Sequence, residues 1–447
     1  MQQTQRLLAL ATLLLTLPAV AAEDVESLFG TVRENVDKQY AELEKLYKHF
    51  HTHPELSYFE EATSKRMAQE WKKLGFEITE NVGGYGVVAV MKNGEGPTIM
   101  VRADTDALPV KEETGLDYAS TVTTEDSLGV NVPVMHACGH DVHMTSIIGA
   151  ARVLVAMKDS WSGTLMMIAQ PAEERGGGAR AMLEDGLFEK FPRPEAAVAL
   201  HVHPELQSGT IGYVKGYAMA NVDSVDIKIR GVGGHGAYPH KTKDPIVIAA
   251  QVIMGLQTIV SRELAPTDPA VVTVGSIHGG TKHNIISNEV DMQLTVRSYS
   301  DETRDHLMAS IERITKNTAR AAGVPPFAMP TMEIREEYTP ALYNSPELVD
   351  RVNGAFRKLL GDASIIELGP VMGGEDFGRY GREEPRIPIF MYRLGTISEE
   401  RIAESKKEGA QPLPSMHSSK YYPEPEPTIK TGAQTLAVGV LELMKQQ

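Results

Sequence analysis

Residues 163–200 read GTLMMIAQPAEERGGGARAMLEDGLFEKFPRPEAAVAL, and this stretch decides the fold class. Residues 163–169 form an apolar run typical of a buried strand, three glycines at 176–178 precede a helical segment, and residues 196–200 form a second apolar run. A strand, a helix and a strand in succession predict an α/β fold, with a largely parallel or mixed sheet covered by helices on both faces.

The same alternation is present on the N-terminal side of this stretch. Residues 23–50 and 60–74 carry apolar residues at three- and four-residue spacing among charges, which predicts two amphipathic helices. Short β-rich runs bounded by glycine, asparagine and proline predict strands at 76–82, 86–91 and 98–103. A further helix is expected to begin near residue 140.

Residues 219–332 have a different rhythm and predict an inserted domain. The order of its elements is strand, helix, strand, strand, helix, strand, at residues 223–230, 245–263, 270–277, 289–298, 302–322 and 327–333. This is the ferredoxin-like βαββαβ arrangement. The α/β pattern resumes with a helix at 346–360, a strand at 387–392 and a helix at 428–445. The larger domain is therefore expected to be discontinuous, with parts at 23–218 and 333–447.

Residues 1–22 predict a signal peptide. Arg6 is their only charge, residues 7–17 are apolar, and small residues at 18–22 precede the acidic Glu23. A membrane anchor or a buried N-terminal helix is the alternative, but the apolar run is short for a bilayer. We therefore expect an exported protein, periplasmic or secreted, that has no membrane association after cleavage.

The rest of the chain has the composition of a globular protein, with 42% hydrophobic and 23% charged residues. The formal net charge is −15, and loss of Arg6 with the leader makes it −16, which argues against nucleic acid as a partner. The glycine-rich segment at 83–86 lacks the spacing of a dinucleotide-binding fingerprint. A small molecule is the expected ligand.

Cys138 is the single cysteine of the chain and has no partner for an intramolecular disulfide. In an exported protein this leaves burial, metal ligation or catalysis as its role. Further residues of metal-binding type end predicted strands or begin a helix: Asp104, Asp106, His140, Glu173, Glu174, His201 and His203. Open α/β sheets bind ligands at the carboxyl ends of their strands, and thiolate, imidazole and carboxylate together suit zinc or a similar ion. We therefore predict a divalent metal site with room for two ions.

Seven motifs follow one another along the chain: HPEL (53–56), RADTDALP (102–109), HACGHD (136–141), QPAEE (170–174), LH (200–201), GGEDF (373–377) and MHS (416–418). With these motifs the sequence resembles the M20 metallopeptidases, and within them the amidohydrolase branch that includes hippurate hydrolases and auxin-conjugate hydrolases. The resemblance covers nearly the whole mature chain. It implies that the larger domain is catalytic and that the protein hydrolyses the amide bond of an N-acyl amino acid or a related peptide-like substrate.

The resemblance also implies two divalent ions, which could be zinc, manganese or cobalt. Their ligands would be Cys138, His140, Glu174, His201 and His417. Cys138 would bridge the two ions, and a bridging thiolate between cations stays deprotonated. Asp106 matches a family aspartate that orients a metal ligand without binding the metal itself.

Glu173 is predicted to be the general base. Adjacent side chains of an extended segment point to different sides, so Glu174 could hold a metal while Glu173 faces the water that the metals activate. Glu173 would accept a proton from this water and deliver it to the leaving nitrogen.

Three further positions match family residues that meet the substrate. His235 would donate a hydrogen bond to the substrate carbonyl, in relatives often from the partner subunit of a homodimer built by the inserted domains. Asn284 and Arg297 would bind the substrate, and arginine can bind a carboxylate bidentately. Arg175 and residues 286–287 depart from the usual pattern of the branch, which leaves the substrate preference open.

Three other interpretations stay open at this point. A cysteine hydrolase would use Cys138 as the nucleophile with His136 or His140 as the base. An exported carboxypeptidase or dipeptidase would cut short peptides with the same metal centre. A metal- or solute-binding protein would close two domains on a ligand without chemistry and would not need Glu173.

Overall fold

The structure, a computed structural model, describes residues 25–336 and 338–445. The predicted signal peptide lies outside these residues. In chain order the helices are α1 (Val25–Thr52), α2 (Glu61–Lys73), α3 (His140–Ala156), α4 (Gly178–Glu184), α5 (Leu187–Lys190), α6 (Pro245–Thr258), α7 (Asp301–Ala321), α8 (Pro346–Leu360), α9 (Glu399–Ser405) and α10 (Pro425–Leu443). The strands are β1 (Glu77–Val82), β2 (Gly86–Asn93), β3 (Thr98–Asp104), β4 (Thr123–Glu125), β5 (Asn131–Pro133), β6 (Gly163–Gln170), β7 (Ala196–Gln207), β8 (Ile211–Tyr213), β9 (Gly216–Met219), β10 (Asn221–Arg230), β11 (Gly234–His235), β12 (Val271–Gly279), β13 (Ile285–Ile286), β14 (Glu289–Ser298), β15 (Thr331–Ile334), β16 (Leu342–Asn344), β17 (Ile365–Glu367) and β18 (Ile389–Ile397).

The larger sheet is mixed. Within the described residues it has eight strands in the order β1-β2-β6-β3-β7-β18-β8-β17. β3 pairs in parallel with β6 and β7, and β7 pairs in parallel with β18. β2 pairs antiparallel with β1 and β6. The predicted α/β class with a mixed sheet is therefore confirmed.

The larger sheet is covered on both faces because its central strands are apolar on both sides. Val101 of β3 packs in a core with α1, α3, α8 and α10, whereas its neighbour Met100 faces α4 and the 3-10 segment Asp376–Arg382. α3 is buried along nearly its whole length and packs on α10. Each fully buried aliphatic side chain contributes about 1.5–3 kcal/mol. This core fixes the position of α3, whose first residue is His140.

The segment of the chain between the two parts of the larger sheet forms a second sheet, which has four strands. Its strands are antiparallel in the order β12-β14-β10-β15, and α6 and α7 pack against it. Residues alternate strictly between buried and half-buried along β10, so that Val225, Ile227 and Ile229 enter a core of their own. The elements follow one another in the βαββαβ order of a ferredoxin-like domain. We call this unit, from Asn221 to Ile334, the small domain.

The helical segment Pro245–Glu263 contains α6 and is strongly apolar. Among the described residues it is the one helix long and apolar enough to cross a membrane, with a mean hydropathy of 1.4 and 33% of its residues buried. Ile248 and Val252 pack in the core of the small domain, while Val247 and Met254 are exposed. Core helices of globular domains meet the same criterion of length and hydropathy. The exposed side chains of Ile246, Val247 and Met254 form an apolar strip on the surface of the small domain.

Two strands extend further than the sequence pattern predicts. The apolar runs predict strands at 196–200 and 387–392, whereas β7 continues to residue 207 and β18 to residue 397. The prediction that His201 ends its strand is wrong, because the parallel pairing continues past it and sets His201 beside Arg393. Polar residues at these positions hide the strand from a hydrophobicity pattern.

The predicted strand at 327–333 is displaced. Pro326–Ala328 forms a 3-10 turn, and β15 begins only at Thr331. Proline cannot donate a backbone hydrogen bond to a sheet, so the pair Pro325 and Pro326 delays the start of the strand.

Candidate metal centre

Cys138 and His140 lie on either side of the residue that precedes α3. This residue, Gly139, has a φ of +73°, a left-handed conformation that disfavours residues with a Cβ. A Cβ at Gly139 would also lie 2.6 Å from Cγ2 of Val202 on β7. Glycine therefore lets α3 begin directly against β7, which brings Cys138 and His140 to His201.

Two groups of potential ligands share Cys138. Its Sγ lies 3.5 Å from Nε2 of His201, and these two side chains form the first group with His140. Sγ also lies 3.3 Å from Nε2 of His417, which is 3.4 Å from Oε1 of Glu174 in the second group. Within each group all ligand atoms lie within 4.8 Å of one another. The structure thus brings the five predicted ligands together around one sulfur atom.

Several polar atoms of these groups have no hydrogen-bond partner. Both ring nitrogens of the buried His140 and Oε1 of Glu174 form no well-aligned hydrogen bond within the described part of the chain, and their ionisable neighbours there lie at 3.4–3.9 Å. Buried polar groups are costly in this state unless an ion or an ordered water satisfies them. Thiolate, imidazole and carboxylate are ligands of zinc and related divalent ions. The residues therefore fit a pair of divalent metal ions.

The surroundings of Cys138 fit a metal ligand better than a nucleophile. Burial, followed by the negative charges of Glu174 and Glu173, raises the pKa of the Cys138 thiol well above its usual value. Reactive cysteines lie in electropositive surroundings that stabilise the thiolate, which is the opposite of this arrangement. Divalent cations reverse the effect, because a coordinating thiol is deprotonated.

Asp106 lies behind the first group. Its Oδ1 is 3.4 Å from Nδ1 of His140, and its Oδ2 accepts hydrogen bonds from the Ser57 hydroxyl at 2.6 Å and from the Glu174 amide at 3.0 Å. Burial by itself would raise the pKa of Asp106, but His140 and these hydrogen bonds lower it. The ionised carboxylate thus contacts the side chain of one predicted ligand and the backbone of another.

Other buried histidines lie outside the two groups that share Cys138. Nδ1 of His143 is 2.5 Å from Oδ1 of Asp104, and its Nε2 accepts a hydrogen bond from the backbone of β7. His51 bridges Asp141 at 2.7 Å and Glu112 at 3.1 Å. Burial alone would lower the pKa of His51, but these two carboxylates raise it to about 9. Both histidines connect α3 to neighbouring segments.

The segment that carries Glu173 and Glu174 is a turn. The Gly176 amide donates to the Glu173 carbonyl at 2.7 Å, and the preceding Ala172 has a φ of +50°. The prediction of an extended segment is wrong, because the glycines that follow permit a tight turn. The two carboxylates share a group with His140, but only Glu174 also belongs to a group with Cys138, whereas Glu173 also lies beside a different set of charges.

This set is a buried charge cluster, which we call the Arg102 cluster and which comprises Arg102, Asp104, Glu375 and Asp376. The Arg102 guanidinium lies 2.5 Å from Asp104, 2.8 Å from Glu375 and 3.1 Å from Asp376. The carboxylate of Glu173, which is 9% exposed, lies within 4.8 Å of the latter two. Burial, followed by the charge of Glu375, raises the pKa of Glu173 well above its usual value.

Of the members of this cluster, only Asp104 stands out in the sequence, as a residue of metal-binding type at the end of a predicted strand. Arg102 lies in the RADTDALP motif, and Glu375 and Asp376 lie in the GGEDF motif. An arginine and acidic residues within such motifs are the only available signal. The motifs do not reveal that Arg102 pairs with Glu375, since 273 residues separate the two in the chain.

A cavity of about 1120 Å³ opens onto the metal ligands and has walls from both domains. Arg297 of β14 lines this cavity, and its guanidinium donates to the Met372 carbonyl at 3.1 Å. His235 and Asn284 do not line it. They lie at the exposed two-stranded sheet of β11 and β13, His235 in β11 and Asn284 just before β13, and the His235 ring accepts a hydrogen bond from the Ala237 amide. Within one chain, Arg297 is the one of these three residues that lines the cavity.

Comparison with known proteins connects this geometry to a family. Residues 100–417 match the model of peptidase family M20/M25/M40. The chain is 36% identical over 416 residues to thermostable carboxypeptidase 1 of Saccharolobus solfataricus, covering 92% of this chain and 96% of that protein. It is 38% identical over 350 residues to the hippurate hydrolase of Campylobacter jejuni, covering 78% and 86% respectively.

A solved structure supports the same relationship. The YXEP protein of Bacillus subtilis, a dinuclear metal-binding peptidase of the M20 family, superimposes with a TM-score of 0.74 at 29% identity, covering 92% of this chain and 100% of that one. The resemblance inferred from the motifs is confirmed. The chain belongs to peptidase family M20/M25/M40 and is a metal-dependent hydrolase.

Proposed function

We propose that this enzyme hydrolyses the amide bond of N-acyl amino acids, with Glu173 as general base beside a pair of divalent ions. The observation that carries the proposal is the position of Cys138, shared by two groups of ligand atoms, next to a buried carboxylate that belongs to neither group. A metal-storage or solute-binding protein has no need for this second, adjacent glutamate.

Each residue near the centre has a distinct task in this proposal. Cys138, His140, Glu174, His201 and His417 hold the ions. When bound, the ions supply Lewis acidity, which polarises the amide carbonyl and lowers the pKa of a water. Glu173 accepts the proton of that water and returns it to the leaving nitrogen. Asp106 keeps His140 oriented through their contact at 3.4 Å.

The test is a screen of the metal-loaded enzyme against acyl amino acids and dipeptides, read by released amine. Glu173→Gln should lower kcat by about 10²–10⁴-fold and leave the bound metal unchanged, because the amide cannot accept the proton. The matched control is Glu189→Gln, which makes the same change at an exposed site. Full activity of Glu173→Gln would refute the assigned base.

Peptides are the second candidate substrate. The similarity to the carboxypeptidase of Saccharolobus solfataricus extends over 92% of this chain, and both substrate types present the same amide to the ions. Pairs such as N-acetylalanine and glycylalanine differ in the charge on the acyl side. A higher kcat/KM for the peptide would replace the first candidate by the second.

Removal of the metal separates the proposal from a cysteine hydrolase. Chelation with EDTA should abolish activity, and zinc, manganese or cobalt should restore it to different extents, which identifies the preferred ion. Inhibition by iodoacetamide in a protein that is indifferent to EDTA would instead assign the chemistry to Cys138.

We further propose a homodimer in which His235 of one subunit serves the centre of the other. Support comes from the exposed position of His235 and from the apolar strip of Ile246, Val247 and Met254 on the small domain. Mixing inactive Glu173→Gln and His235→Ala variants tests this directly, since one site of each mixed dimer would regain both residues. Activity should reappear on mixing, and a mixture that stays inactive would refute it.

Export is the remaining proposal, and it depends on the sequence of residues 1–22. Expression of the full chain in a bacterium, followed by separation of periplasm from cytoplasm, should give a mature protein that begins near Glu23. An unprocessed cytoplasmic protein would contradict it.

A further inference from the structure

Arg393 lies on the floor of the cavity beside the metal centre. It belongs to β18, and the parallel register with β7 makes it the neighbour of His201. Tyr392 and Leu394 point into the helix-covered core. Because side chains alternate along a strand, Arg393 points to the other face, where it lines the cavity with Met391.

In the described part of the chain the guanidinium of Arg393 forms no ion pair within 4.0 Å, although the negative charges of Glu375 and Glu173 act on it from farther away. The one acceptor that it contacts there is the thioether sulfur of Met219, which is weak. Its remaining N–H donors and a permanent positive charge are thus left on a half-buried cavity wall. A charge in this position is unfavourable unless an anion reaches it.

Two other arginines of the described residues show how a buried guanidinium is paired with carboxylates. Arg102 contacts three carboxylates, and Arg304 donates to both oxygens of the buried Asp223 at 2.7–3.0 Å. Arg297 resembles Arg393 instead: it lines the same cavity, and its guanidinium bonds Thr295 and a backbone carbonyl but, among the described residues, no carboxylate. Arg297 and Arg393, one from each domain, therefore present to the same cavity guanidinium groups that form no ion pair among the described residues.

We propose that Arg393 binds a second anionic group of the substrate, which makes the preferred substrate an N-acyl amino acid with two carboxylates. This inference rests on the proposed function, and it assigns the α-carboxylate of the amino acid to Arg297, the cavity residue that the family resemblance implies in substrate binding. One carboxylate fills one guanidinium bidentately, so the second arginine requires a second acid. The cavity of about 1120 Å³ has room for both groups.

The second acid can lie on either side of the scissile bond, and two substrate pairs cover both cases. N-acetylglutamate and N-acetylglutamine differ by a carboxylate on the amino acid side. N-succinylalanine and its terminal amide differ by a carboxylate on the acyl side. The wild-type enzyme should favour the acid in at least one pair by about 10- to 100-fold in kcat/KM, mainly through KM, as expected for a charged hydrogen bond in binding.

Arg393→Gln should remove this preference, and Arg393→Lys should retain part of it because the charge remains. Arg386→Gln is the matched control, since Arg386 is exposed and pairs with Glu384 at 2.9 Å, away from the cavity. Circular dichroism and metal content establish that each variant is folded and loaded.

The outcomes separate the two proposals. Hydrolysis with an acid preference that is lost in Arg393→Gln and kept in Arg386→Gln supports both. Hydrolysis without an acid preference, or with a preference that survives Arg393→Gln, overturns this inference and leaves the proposed function intact. If the metal-loaded wild type cleaves none of the four amides and no other acyl amino acid, the proposed function fails and this inference fails with it.

Discussion

The Arg102 cluster allows the contribution of one buried cation to the free energy of unfolding to be predicted. Arg102→Met removes the group that lies between the carboxylates of Asp104, Glu375 and Asp376, all of which are at most 1% exposed. Methionine fills a similar volume, so the main change is electrostatic. Breaking a buried ion pair costs about 3–5 kcal/mol because the remaining charge has no partner. Three carboxylates lose their shared cation, so we expect a loss of at least about 3 kcal/mol.

This loss is large beside the total stability of a domain, which is about 5–15 kcal/mol. Urea unfolding of the metal-loaded protein measures it, with tryptophan fluorescence as the signal. Both tryptophans, Trp71 and Trp161, are buried in the core of the larger domain, so the signal reports on the domain that contains the cluster. Arg386→Met provides the control for a change of surface charge.

The pH dependence of the difference in unfolding free energy between the wild type and Arg102→Met is the sharper test. In the wild type, burial opposes ionisation of Asp104, but Arg102 holds the pKa of this carboxyl well below its usual value. The ionised Asp104 carboxylate therefore stabilises the folded protein at any pH above about 4, the pKa of an aspartate in the unfolded chain. This contribution is lost only as the pH falls through the low pKa of Asp104 in the folded protein. Burial raises the pKa of Glu375 to about 7 even beside Arg102, so this carboxyl takes up a proton in the wild type as well. Without Arg102 the carboxylates take up protons at higher pH, so the stability difference between the two proteins should shrink as the pH is lowered in a series from pH 8 to pH 5. A difference below about 1 kcal/mol, or one that is constant over this range, would refute the reasoning.

Three further predictions concern the surroundings of the ligands. Asp106→Asn should weaken metal binding by about 10- to 100-fold in competition with a chromophoric chelator, because His140 loses its charged neighbour; unchanged affinity would contradict this. Carboxylate partners raise the pKa of His51 from 6.5 to about 9, so the protonated ring contributes about 3 kcal/mol to the free energy of unfolding below pH 6.5. His51→Asn should therefore lower stability most below pH 6.5. That difference should fade as the pH rises through 9 in urea titrations, and a constant one would rule the account out. Gly139→Ala should destabilise the protein by about 1–3 kcal/mol and reduce its metal content, since its Cβ would meet Val202 at 2.6 Å; a normally loaded, equally stable variant would argue against it.

The sequence predicts the long elements well because their periodicity is complete. The predicted helix at 346–360 and the predicted strand at 289–298 coincide with α8 and β14. It misses β8, β16 and β17, which have three residues each. Segments of this length become strands because a neighbouring strand accepts their hydrogen bonds, and no local pattern encodes that neighbour.

The same limit applies to the candidate site. The five predicted ligands could be named because each lies in a recognisable motif, and Gly139 adds a local reason for the approach of their side chains in the structure. Arg393 is missed because the apolar run of its strand ends at Tyr392, whereas the pairing with β7 continues through Ile397. The turn at Glu173 is missed because a glutamate pair alone does not distinguish a turn from a strand.

The position of His417 has a consequence for how the protein matures. This predicted ligand lies 279 residues after Cys138, and the last helix, α10, packs against α1 and α3. The helix that begins at His140 therefore stays partly uncovered until α10 has packed against it. In the proposed function, the complete centre forms only after the C-terminal segment has folded, and a chain that ends before His417 would lack both a predicted ligand and a wall of its own core.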